Sequence, residues 1–148
     1  MTRFLAAEFC TVICVVPLPA FAHSDTGVGR PGESAQVTRT VAIGMADSMR
    51  FAPGELVVAR GQTVKIIARN DGKVQHEIVL GTPAEIIQHR ESMQRDPHLA
   101  HGAPNMAHVA PGESEQLIWQ FAHKGKFEFA CLLPGHYEAG MSGTIVVQ

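Results

Sequence analysis

From Val37 onward, short apolar runs alternate with turn residues at close spacing, the pattern of an all-β chain folded as a sandwich. It predicts strands near Val37–Met45, Glu55–Ala59, Thr63–Asn70, His76–Leu80, Ser114–Phe121, Lys126–Cys131 and Gly143–Val147. Alternation is clearest at Lys126-Phe127-Glu128-Phe129, which sets both phenylalanines on one face. Pro53-Gly54, Arg60-Gly61, Asn70-Asp71-Gly72, Pro111-Gly112 and Lys124-Gly125 punctuate the runs as turns. One helix interrupts them. Thr82 caps it, Pro83 suits its first position and Glu85 completes a T-x-x-E capping box, so it is predicted from Pro83 to about Met93. Gln94 to Ala110 follows without clear periodicity, a long loop for a sandwich and therefore a candidate functional segment.

The residues before Val37 read differently. Arg3, an apolar stretch from Phe9 to Leu18 and the small-residue site Ala20-Phe21-Ala22 predict a secretory signal over residues 1–22. Residues 23–36, rich in Gly, Ser and Pro, are expected to form a flexible tail, which leaves 37–148 as one domain. The expected location is the periplasm, with a soluble product. Removing the signal takes Cys10 and Cys14 with it and leaves Cys131 alone. An exported protein normally pairs its thiols or avoids them, so a lone cysteine calls for protection, and a metal provides it. Charge adds little: the chain carries a formal net charge of −2, which points to neither nucleic acid nor an anionic membrane as partner.

Cys131, His136 and Met141 stand on one short loop at C-x4-H-x4-M spacing. With one further histidine they make the donor set of a mononuclear copper site, two imidazoles and a thiolate with a long axial thioether. Soft sulfur favours Cu(I) and imidazole suits Cu(II), so the mixed set holds both states. His76 is the candidate for the second imidazole, because it opens the strand Glu77-Ile78-Val79-Leu80 after the Asn70-Asp71-Gly72 turn. The bland alternatives are a buried inert Cys131, a surface His76 and a gap-filling Met141.

A second copper system is also readable. Six of the twenty residues from 89 to 108 are His or Met: His89, Met93, His98, His101, Met106 and His108. Average composition gives about one. His89 and Met93 lie four apart on the predicted helix and would share a face. A labile copper site there competes with a polar loop that happens to be His-rich. Signal removal would make His23 the N-terminus, where amine and imidazole together chelate Cu(II). His123 is expected at a strand end on the surface, without a role.

The chain resembles the cupredoxins, small type 1 copper proteins such as plastocyanin, azurin and rusticyanin. The resemblance rests on Met49-Arg50-Phe51-Ala52-Pro53-Gly54, Gly61-Gln62-Thr63-Val64, His76 and the Cys131–Met141 loop. It is strongest to the periplasmic cupredoxins of bacterial copper tolerance, through His76 to Gly81 and Pro104-Asn105-Met106-Ala107-His108. It implies a Greek-key β-sandwich with one short helix before a Met/His-rich loop, and copper held by His76, Cys131 and His136 with Met141 axial. One departure is Glu77, where many members carry Asn or Ser beside the thiolate. Leu132, Leu133 and Pro134 are expected to collar the exposed edge of His136 for docking. The implied function is a Cu(I)/Cu(II) cycling protein, electron transfer serving copper tolerance. The alternative is a dedicated one-electron carrier for a respiratory or photosynthetic partner. An oxidase or nitrite reductase would need a further catalytic copper with a His-Cys-His or His-x-His motif, and neither occurs. The expected partners are copper ions and an unidentified redox protein, with the chain a monomer.

Overall fold

The computed structural model describes residues 26–95 and 102–148. Its elements are β1 (Gly29–Pro31), a 3-10 turn (Ser34–Gln36), β2 (Arg39–Ala46), β3 (Arg50–Ala52), β4 (Glu55–Val58), β5 (Thr63–Asn70) and β6 (His76–Gly81). Then come α1 (Pro83–Arg95), β7 (Met106–Val109), β8 (Ser114–Phe121), β9 (Gly125–Ala130) and β10 (Ser142–Val147). One sheet runs β1-β8-β5-β2-β3 and the other β4-β10-β9-β6-β7. The pairs β2/β5 and β4/β10 are parallel, so the chain crosses between sheets as a Greek-key sandwich requires.

The core lies between the sheets. Trp119 and Phe121 of β8, Phe129 of β9, Ile43 and Met45 of β2 and Ile66 of β5 are fully buried there. Phe129 meets Phe51 edge-on at 5.0 Å between centroids, an arrangement the ring quadrupoles favour. Gly143, opposite Phe129 in the β9/β10 ladder, makes room for that ring: a Cβ there would strike the Phe129 ring. Strand β6 is buried at all six positions. Ile78 and Leu80 enter the main core, whereas Val79 joins a second cluster with Ile86 of α1, Met106, Ala130 and Leu132. The helix therefore covers the outer face of β6 and β9.

The capping box forms as predicted: the Thr82 N–H donates to Glu85 Oε2 at 2.7 Å and the Glu85 N–H to Thr82 Oγ1 at 3.2 Å. Two expectations are corrected. The flexible tail expected over 23–36 is ordered from Thr26: Val28 is fully buried, and Gly29–Pro31 pairs with Phe121–Trp119 as an edge strand. Three residues that gain a ladder and one core side chain have enough to hold them, whatever their turn-like composition. The aperiodic loop expected over 94–110 contains β7, which pairs Met106 to Val109 with Val79 to His76. The signal expected at 1–22 and residues 23–25 lie outside the described residues. Among the described residues, no helix is long and apolar enough to cross a membrane.

Candidate metal centre

His76 opens β6, and Cys131 follows the last residue of β9, the strand beside it. The sheet thus sets both at the same end of the sandwich. The β9–β10 loop returns through turns that need left-handed backbone at Gly135 (φ 85°) and Gly140 (φ 93°). Its own hydrogen bonds hold it. The His136 N–H donates to the Leu133 carbonyl at 3.0 Å, the Met141 N–H to the His136 carbonyl at 3.0 Å, and the Cys131 N–H to the Met141 carbonyl at 3.1 Å. From outside, the Arg50 guanidinium donates to the Ala139 carbonyl at 2.7 Å, and Arg90 of α1 lies over the Tyr137 ring.

The result is a cluster of donor atoms. His136 Nδ1 lies 3.2 Å from Cys131 Sγ and 3.3 Å from His76 Nδ1, and one donor atom from each residue falls within 4.8 Å of the others. It is the one such group of three His, Cys, Asp or Glu side chains among the described residues. His76 and Cys131 are fully buried, and His136 is partly exposed. Met141 is fully buried in the same cluster as Cys131, its backbone bonded to both Cys131 and His136. Two nitrogens and a sulfur converging in a buried corner fit a trigonal copper with thiolate and imidazole ligands.

Electrostatics bear on what the cluster fits. Burial pushes the Cys131 thiol up to about 12, against the amide N–H groups of Glu77 and Leu133, which favour the thiolate. The Glu77 N–H reaches Sγ at 3.4 Å. Burial, with His76 beside it, lowers the His136 pKa, which favours the neutral ring that a metal needs. Copper bound here would take the place of the thiol proton and hold Cys131 as the thiolate.

Glu77 is the departure noted in the sequence, and its carboxylate is fully buried. Oε1 accepts the Leu132 N–H at 2.7 Å, which ties β6 to the residue after Cys131, and Oε2 lies 3.2 Å from His108 Nδ1 on β7. Burial raises its pKa to about 7 despite the Leu132 bond. Asp47, in the turn between β2 and β3, gave no sequence signal: its Oδ1 lies 3.3 Å from His76 Nε2. Arg50 sat inside a quoted motif, yet nothing in the spacing shows its reach to Ala139.

The second set is less coherent. Met93 and Met106 are buried, Met106 in the apolar layer under α1. His89, half-buried, lines a cavity of about 230 Å³ with Ile86, Gln88, Ser92 and Asn105. His108 faces Glu77. His98, His101 and His23 lie outside the described residues. The expected collar is also altered: Leu132 turns inward under α1, leaving Pro134 exposed and Leu133 half-buried around His136. His123 is exposed just beyond β8.

Comparisons with known proteins agree with this geometry. The family of copper binding proteins described as plastocyanin/azurin matches residues 35–148. The copper-resistant cuproprotein CopI of Rubrivivax gelatinosus is 48% identical over 130 residues, 87% of this chain and 79% of that protein. CopI of Pseudomonas aeruginosa is 32% identical over 149 residues, covering 81% of this chain and 82% of its own. Among solved structures, auracyanin A of Chloroflexus aurantiacus, a "blue" copper protein, superposes with a TM-score of 0.63 at 28% identity. The match covers 74% of this chain and 98% of that one. A reduced auracyanin from Roseiflexus castenholzii gives 0.66 at 24% identity over 76% and 98%, a likeness of fold. With a matched span that includes the whole donor cluster, the chain belongs to the plastocyanin/azurin family of copper-binding proteins.

Proposed function

We propose that His76 Nδ1, Cys131 Sγ and His136 Nδ1 hold one type 1 copper, with Met141 as the weak axial ligand, and that the protein carries single electrons in the service of copper tolerance. The convergence of the three donor atoms within 4.8 Å, on a frame braced from three sides, carries the reading. Copper supplies the one-electron change. The protein supplies rigidity: the sheet fixes His76 and Cys131, Glu77 and Arg50 tie the ligand loop to β6 and β3, and neither oxidation state demands rearrangement. His136 and Pro134 form the edge through which a redox partner would dock briefly. Tolerance rests on the likeness to the CopI proteins, named as copper-resistant, and with it goes a periplasmic site of action after removal of residues 1–22. A second, labile copper would use the His/Met-rich segment that carries His98, His101, Met106 and His108.

The test is titration of the purified protein with Cu(II), read by visible absorption and metal analysis. One equivalent giving an intense thiolate band, lost in Cys131→Ser, is expected. No band in the parent protein would overturn the site. A second equivalent without new thiolate absorption, lost when His98, His101, Met106 and His108 are replaced together, is expected of the labile site. The likeness to auracyanin A keeps a dedicated electron carrier as the second reading. A strain lacking the protein but growing normally in copper would favour that carrier.

A further inference from the structure

His76 has two ring nitrogens, and only Nδ1 faces the donor cluster; Nε2 points away, to 3.3 Å from Asp47 Oδ1. Asp47 is not there by accident of a mobile surface chain. Its two oxygens accept the Lys73 N–H at 3.0 and 2.8 Å, and Oδ1 the Val74 N–H at 3.4 Å. The carboxylate therefore joins the β2–β3 turn to the β5–β6 turn that leads into His76. Gly72 leaves the space it occupies, because a Cβ there would collide with Oδ1. An ionised carboxylate only accepts hydrogen bonds, so the imidazole nitrogen facing it must carry the proton. A neutral His76 then has its lone pair on Nδ1, directed at Cys131 and His136.

We propose that Asp47 is a positioning residue for the copper site, a carboxylate that fixes the tautomer of His76 and raises the donor strength of its Nδ1. The inference rests on the copper reading above. A hydrogen bond from a ligand imidazole to an anion makes the ring a stronger donor and favours the higher metal charge. Asp47 therefore stabilises Cu(II) relative to Cu(I) and lowers the reduction potential.

Asp47→Asn keeps an oxygen for the Lys73 amide but removes the charge, whereas Asp47→Ala removes both. In Asp47→Asn the thiolate band persists and the ratio of Cu(II) to Cu(I) affinities falls about tenfold, an upward shift of about 59 mV for a one-electron couple. An unchanged potential would overturn the inference and reduce Asp47 to a tie between turns. Nitrogen-15 NMR of the copper-free protein supplies the second readout: His76 is Nε2–H in the parent and gains the Nδ1–H form in Asp47→Ala. An Nδ1–H ring in the copper-free parent would also overturn it. Because that readout needs no metal, it separates failure of this inference from failure of the copper reading, which a missing thiolate band would announce.

Discussion

At the scale of single residues, the candidate site divides by how local its signals are. Cys131, His136 and Met141 are legible because one turn-rich loop carries them at fixed spacing, and His76 because a strand opening places it at an end of the sheet. Asp47 and the Glu77–His108 contact are not legible, since each depends on turns or strands that meet only after folding. Glu77 carries a testable cost. Its carboxyl titrates near 7 instead of 4.5, so between those values the folded copper-free chain holds a proton that the unfolded chain has lost. Its contribution to stability is thus complete below about 4.5 and declines as pH rises through 7. The full shift corresponds to at most about 3 kcal/mol, less where His108 is protonated 3.2 Å away. Glu77→Gln is expected to flatten this decline, read as urea midpoints of the copper-free protein at about pH 5 and about pH 8.

Among elements, the long runs and the four-residue β4 were readable, and the other short strands were not. β5 and β8 fall at their predicted bounds, because eight residues of alternating or buried apolar character outweigh local turn propensity. β1, β3 and β7 have three or four residues, too few for a period to emerge, and all three sit at sheet edges. β7 buries its first and last residues, three apart, which departs from the period of two that marks a strand. Besides the β1 ladder, one side chain anchors the N-terminal segment. Val28 lies in the main core, so Val28→Ala is expected to cost about 1–3 kcal/mol in chemical denaturation. A free tail would give no change.

For the molecule as a whole, the sandwich and the copper site depend on each other. Copper that binds the folded chain alone stabilises it by mass action, by about 2.7 kcal/mol at a free concentration one hundred times the dissociation constant. Thermal unfolding followed with and without Cu(II) should show this rise in the parent and little of it in Cys131→Ser. The fold class was legible from spacing and turns, whereas the strand order was not, since parallel pairs such as β4 with β10 join segments far apart in sequence.

That last pairing separates owning the ligands from being able to use them. A chain ending at Met141 already contains His76, Cys131, His136 and Met141, yet it lacks β10, the strand that joins β9 to β4. Such a fragment is expected to give no thiolate band with Cu(II). Capture of the metal would then report a closed sheet, with the seating of six-residue β10 between β9 and β4 as the event that arms the site.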